Sequence, residues 1–268
     1  MNLNKRYGLG MSIQRKNARR LVDPSMCCGV EVELERCRSI HGYGVETKED
    51  GSLRNGGKEY CTPPSNGDLL LSSLLWICKN SQDADASHRG SVHVHLNAGE
   101  MSPVHLVTLL KVFALVEPII FSSFCPSRKD NNNCVPYYNI NIKRSTISNI
   151  LLALKQTYLL NECFDAFIWD KYTSLNIAPL LNFGTVEFRM FPATKDYDTL
   201  VDYVNVAQAV AKVAHRLKDK SNSVIQRRAL GMFINYCNKY LSGKANVVYT
   251  TEDKDVGIAT FDSLIMGE

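Results

Sequence analysis

Four short stretches of the chain alternate apolar and ionisable residues. Val30, Val32 and Leu34 interleave with Glu31, Glu33 and Glu35. Val92, Val94 and Leu96 interleave with His93 and His95, and Val186, Phe188 and Met190 with Glu187 and Arg189. The fourth stretch, 57–62, carries Glu59 and stops at Pro63-Pro64. Side chains alternate sides along a strand, so each stretch predicts a strand with one apolar and one charged face. A further short strand is expected over 173–178.

Helical periodicity fills much of the remainder. Asn66 or Asp68 caps a helix through Leu69, Leu70, Leu74, Leu75 and Cys78, and Ser102-Pro103 opens one that runs toward Phe121 with a kink at Pro118. Ser145 opens another through Ile147, Ile150, Leu151, Leu154 and Tyr158, and two long amphipathic helices cover about 198–218 and 223–241. The glycine-rich run 39–66 favours hairpins and loops, residues 124–144 read as irregular, and a weak strand and tail follow Gly243. The expected fold class is α+β: a mixed or antiparallel sheet with a concave charged face, backed by helices. With no repeat and no linker, one catalytic domain is expected over 26–245, between a basic, flexible extension (1–25) and a C-terminal tail (246–268).

Composition narrows the class. The 268 residues are 45% hydrophobic and 22% charged, ordinary for a soluble globular protein. The net charge of +4 comes from Lys5, Arg6, Arg15, Lys16, Arg19 and Arg20, so the body is close to neutral. A nucleic-acid-binding body is excluded on that footing; only the basic arm could touch nucleic acid, weakly. The nine cysteines are odd in number and without C-x-x-C spacing, which fits reduced thiols in a cytoplasmic protein. Neither a signal peptide nor a membrane span is expected, since the apolar run 106–121 is broken by Lys111, Glu117 and Pro118.

The charged strand faces concentrate metal-capable side chains: Glu31, Glu33 and Glu35, then Glu59, His93 with His95, and Glu187 beside Arg189. A solvated antiparallel face would account for any one of them. Side by side they form an acid-lined surface that calls for divalent cations. The His93/His95 spacing is zinc-like, with no cysteine or third histidine nearby to complete a set, and Glu187–Arg189 reads equally as an ion pair. No Walker A loop, G-x-G-x-x-G or nucleophile elbow occurs.

In order, these pieces are G-V-E-V-E at 29–33, D-G-S-L at 50–53, K-E-Y-C-T-P-P at 58–64 and V-H-V-H-L at 92–96. P-S-R-K-D-N-N-N-C at 126–134, K-Y-T-S-L-N at 171–176 and G-T-V-E-F-R-M-F at 184–191 complete them. The series resembles the amidoligase family, carboxylate–amine ligases related to glutamine synthetase and glutamate–cysteine ligase. The resemblance implies a sheet that binds ATP and Mg²⁺, with Mn²⁺ accepted because a histidine is present. It implies Glu31, Glu33, Glu59, Glu187 and His95 as metal ligands, and His93, His95, Asn176 and Arg189 around the nucleotide. Arg189 and Arg128 are implied as clamps on phosphate or substrate carboxylate, with Asp50 and Asn176 on the substrate side.

The implied reaction activates a carboxylate as an acyl phosphate, which an amine then attacks to give an amide; no protein nucleophile is needed. Its partners are a small-molecule or peptide carboxylate and an amine. Two rivals stand beside it: a metal-dependent hydrolase using the same acids and histidines, and a non-catalytic binding protein on the same fold.

Overall fold

The structure, a computed structural model, describes residues 20–139, 171–243 and 247–265. The strands are β1 (Cys28–Leu34), β2 (Glu46–Glu49), β3 (Lys58–Cys61), β4 (Ser91–Asn97), β5 (Leu175–Asn176) and β6 (Thr185–Pro192). They form one six-stranded sheet in the order β2-β3-β1-β4-β6-β5, with every neighbouring pair antiparallel. The helices are α1 (Gly67–Asn80), α2 (Pro103–Phe124), the single turn α3 (Leu180–Phe183), α4 (Tyr197–Leu217), α5 (Asn222–Tyr240) and α6 (Thr251–Ile265). This is the expected α+β class, with the sheet antiparallel throughout.

Register explains why the ionisable residues meet. Glu31 lies opposite His93 on β4 and opposite Cys61 on β3, Glu33 lies opposite Glu59, and Glu187 lies between His95 and Asn176. The other face carries Val30, Val32, Leu34, Tyr60, Val92, Val94, Leu96, Val186, Phe188 and Met190, all buried. Strict alternation would put Phe191 on the charged face with Glu187 and Arg189. A bulge in β6 opposite Val92–Val94 re-phases the strand, and Phe191 instead stacks on Tyr203 of α4 at 4.4 Å between ring centroids.

Helix α2 is the centre of the helical layer, packed against α4, α5 and α6, and its Phe113 ring meets Phe188 of the sheet edge-on. Ser102 caps it by accepting from His105 N (3.2 Å), and the helix continues past Pro118, where a kink was expected, to Phe124. It is long and apolar enough to cross a membrane, yet 94% of that window is buried inside the protein. Its one carboxylate, Glu117, is fully buried and accepts from Tyr137 N (3.0 and 2.9 Å) and from the Ser174 hydroxyl. Burial pushes its pKa up to about 8 against the pull of these hydrogen bonds.

Several expectations are corrected. After Gly243 the chain forms helix α6, not a weak strand and tail. Its inward stripe is Gly257, Thr260, Phe261 and Leu264, and the small and polar members conceal the helical period. At the other end, part of the expected flexible extension is docked. Leu21 and Val22 are buried, Val22 N donates to Asn205 Oδ1 (2.9 Å), and Asp23 pairs with Lys212 (2.6 Å). The edge strand β2 went unforeseen because its residues, Glu-Thr-Lys-Glu, have no apolar face to betray it. The strand expected over 173–178 contracts to β5, and Leu69 of α1 points outward. The helix expected from Ser145 and the first 19 residues lie outside the described residues.

Candidate active site

The charged face of the sheet is partly sunk: the Glu187 and His93 side chains are each only 4% exposed, and Glu31, the most open of the three, is 26% exposed. Three ligand atoms, from Glu31, His95 and Glu187, lie within 4.8 Å of one another. His95 Nδ1 is hydrogen-bonded to Thr185 Oγ1 (3.1 Å), which leaves Nε2 facing Glu31 Oε1 at 3.3 Å and Glu187 Oε1 at 3.8 Å. That Nε2 stands in ion-pair range of both carboxylates. A ring nitrogen set between two carboxylates can bear the proton that pairs with them or give it up to ligate a cation.

His93 has a different place. Its Nε2 meets Ser91 Oγ at 2.8 Å, and its Nδ1 meets Glu31 Oε2 at 3.0 Å and Glu187 Oε1 at 3.3 Å. Ser91 Oγ in turn donates to Glu33 Oε2 (2.5 Å). His93 therefore underlies the carboxylates and joins Glu31, Glu33 and Glu187; with both ring nitrogens engaged, it is not placed to touch a nucleotide. Asn176 is similarly committed. Its Nδ2 donates to Glu187 Oε2 (2.7 Å) and its Oδ1 accepts from Ala178 N (3.0 Å), so this buried amide orients Glu187 rather than facing substrate.

A second group forms one strand over. Ligand atoms of Glu33, Asp50 and Glu59 lie within 4.8 Å of one another, as do those of Glu31, Glu59 and Cys61. The β2–β3 hairpin supplies Glu59 and Cys61, and the loop after β2 supplies Asp50, whose carboxylate also accepts from Ser52 N (2.8 Å). Cys61 Sγ donates to Glu59 Oε1 at 2.8 Å, and Lys48 on β2 reaches to 3.8 Å from the same oxygen. Glu35 does not join: it lies past the end of β1, and its carboxylate accepts from Arg54 N (2.8 Å).

The charges pull unevenly. Burial would raise the Glu31 pKa, but hydrogen bonds and charge from His93 and His95 prevail and hold it well below the usual carboxylate range. Burial would lower that of His95, yet Glu31 and then Glu187 hold it above the usual histidine value. Glu59 is raised, by burial and by the neighbouring Glu31 charge, and burial pushes the Cys61 thiol up to about 12.

Both arginines are here. Arg189 Nη1 donates to Glu187 Oε1, while its buried Nε has no partner. Arg128, expected on composition alone in a solvated loop, is 4% exposed. Its guanidinium reaches the carbonyls of Gly90 (3.3 Å) and Arg189 (3.5 Å) and the Cys134 thiol, and its Nε has no partner among the described residues. Gly90 lets this backbone lie close to the end of β1, because a Cβ there would collide with the Glu33 carbonyl. Among the described residues, then, Arg128 is a buried positive charge with no carboxylate in ion-pair contact.

Sequence reading missed Ser91, Thr185, Lys48 and Cys61. Three were accessible by parity: Ser91 is two before His93, Thr185 two before Glu187 and Cys61 two after Glu59. Lys48 was not, because its strand was not recognised.

Among curated proteins, none matches the chain significantly. One solved structure similar to it is that of a bifunctional glutathione synthetase from Pasteurella multocida, at 9% identity and a TM-score of 0.37. The match covers 90% of this chain and 48% of that one, so this chain spans about half its length. Residues 43–211 match the model of a family described as "Putative amidoligase enzyme". That match covers more than half of the chain and contains Asp50, Glu59, His93, His95, Arg128, Asn176, Glu187 and Arg189; the chain belongs to the amidoligase family.

Proposed function

We propose that this protein is an ATP-dependent carboxylate–amine ligase, cytoplasmic and related in its sheet to glutamine synthetase and glutamate–cysteine ligase. It forms an amide or peptide-type bond through an acyl phosphate, using Mg²⁺ with Mn²⁺ accepted. The observation that supports this most is the convergence of five carboxylates and His95 on one sheet face with two buried or half-buried arginines beside them. The donor set suits the ions. Oxygen-rich Glu33, Asp50 and Glu59 fit a hard cation, and Glu31, Glu187 and His95 Nε2 fit a second position tolerant of nitrogen.

When bound, ATP and its ions supply the phosphoryl group that turns a carboxylate oxygen into a leaving group. The chain supplies the rest. Glu31, Glu187 and His95 fix one ion, while Glu33, Glu59 and Asp50 fix the other. Asn176 and His93 hold Glu187 in its rotamer. Arg128, buried beside the charged face, offers its guanidinium to a phosphate or a substrate carboxylate, and Arg189 shares its charge between Glu187 and an anion. No side chain needs to attack: Ser91 is committed to Glu33 and His93, and the Cys61 thiol stays protonated.

The test is thermal stability with Mg²⁺, ATP, both and neither, repeated in Glu33→Gln. A ligand at about 100 times its Kd adds roughly 2.7 kcal/mol. Stabilisation that needs both and disappears in the variant is expected. Stabilisation by metal alone, indifferent to ATP, would point to the hydrolase, and no response to either ligand to a binding protein.

A further inference from the structure

Resting on the metal-binding reading above, we infer that Glu117, buried in helix α2, is a positioning residue that sets the Asn176–Glu187–Arg189 end of the site through Ser174 and Tyr137. Strand β5 is two residues long and lies at the edge of the sheet, a short pairing for the element that holds Asn176 against Glu187. The segment beside it adds to that hold. Val135 bridges Thr173, Ser174 N donates to Val135 O (3.0 Å), and Tyr137 Oη donates to Leu175 O (2.9 Å). On the sheet side the Ser174 carbonyl accepts from Arg189 N (2.8 Å), so Ser174 ties the two together.

These segments meet at Glu117. Its carboxylate accepts from Tyr137 N at 3.0 and 2.9 Å, from Tyr138 N and from the Ser174 hydroxyl. Glu117 and Ser174 are both 0% exposed. A carboxylate is a costly choice in such a place, because its charge is desolvated and its partners are neutral donors. What it offers in return is two oxygens that only accept, enough to gather two backbone N–H groups and a hydroxyl at one point. Glutamine of the same shape presents one such oxygen and turns an amide toward a donor. The carboxylate therefore fixes 135–138 and 173–176 together against α2. Through them it fixes the backbone of Arg189 and the Asn176 amide that orients Glu187. Arg128 lies on the same stretch of chain, and its guanidinium reaches the Arg189 carbonyl (3.5 Å).

The experiment follows Mn²⁺ binding by electron paramagnetic resonance in wild type, Ser174→Ala and Phe233→Leu. Ser174→Ala deletes one donor to Glu117 and keeps the backbone pair with Arg189. Phe233→Leu opens a cavity in the buried face of α5 and controls for lost stability alone. Ser174→Ala should weaken Mn²⁺ binding about tenfold, the lower end of the cost of losing an outer partner of a ligand, while Phe233→Leu binds as wild type does. Wild-type affinity in Ser174→Ala, or an equal loss in the two variants, overturns the inference. A ligand-free readout accompanies it: the Arg189 amide should exchange with deuterium faster in Ser174→Ala relative to the β4 amides, and an unchanged ratio also overturns the inference. A wild type that binds no Mn²⁺ defeats the metal reading, and the Arg189 amide then decides this inference alone. Should Ser174→Ala fail to fold, Glu117→Gln takes its place with the same two expectations.

Discussion

Asn176 and Ser91 hydrogen-bond to carboxylates of the site, so their substitution should act on the proposed metal affinity through geometry. Asn176→Ala should lower Mg²⁺ or Mn²⁺ affinity roughly 10- to 100-fold, the usual cost of losing a partner that orients a ligand. Mn²⁺ titration followed by electron paramagnetic resonance reads this directly; unaltered affinity would mean that Glu187 holds its rotamer without help. Glu117 offers a pH-dependent counterpart far from any ligand. Its folded pKa of about 8 lies above the unfolded 4.5, so the folded protein keeps a proton that the unfolded chain releases. That stability is complete below about pH 4.5 and is lost as pH rises through about 8. Between pH 6 and 9 the loss is on the order of 2–3 kcal/mol at most. Glu117→Gln should flatten the decline in urea denaturation across that range. At this scale the sequence shows which side of a strand a residue occupies but not its depth. The i, i+2 period cannot tell the more open His95 from His93 beneath it, because that difference depends on Ser91 and Thr185 taking up their ring nitrogens.

Elements were legible where their periods are clean. The alternating runs became β1, β4 and β6, and capping residues marked α1 and α2, because burial on one face dictates those patterns. Legibility fails where packing needs small or polar residues. Helix α6 touches α2 through Gly257, where a Cβ would collide with the Leu115 carbonyl, so its closest contact is the one without an apolar side chain. Gly257→Val should therefore cost about 1–3 kcal/mol by overpacking, measured by chemical denaturation, while Gly231→Ala on α5, where a Cβ meets open space, should not destabilise. The β6 bulge is invisible in the same way: nothing in Arg189-Met190-Phe191 announces it, and only the requirement that Phe191 stack on Tyr203 reveals it.

Across the whole molecule the chain's two ends brace the helical layer. Leu21 and Val22 are buried at about 1.5–3 kcal/mol each, and Asn205, Gln208 and Lys212 of α4 hold the backbone and Asp23 beside them. Removal of residues 1–25 should lower the melting temperature by several degrees relative to removal of 1–19. Equal melting temperatures for the two truncations would show that the 20–25 segment contributes nothing to stability.

The β2–β3 hairpin lies at one edge of the sheet, where its strand pairing with the other strands runs through β1. Yet it and its connecting loop carry Lys48, Asp50, Glu59 and Cys61, which lie among the ionisable side chains of the site. An ion held as proposed, between these residues and Glu31 or Glu33 on β1, would rivet the outermost two strands to the third. Edge strands open and close independently of global unfolding, so the backbone amides of 46–49 and 58–61 should exchange with deuterium rapidly without an ion and slow markedly once it is bound. The amides of β4 and β6, already interior, should serve as an internal clock that does not change.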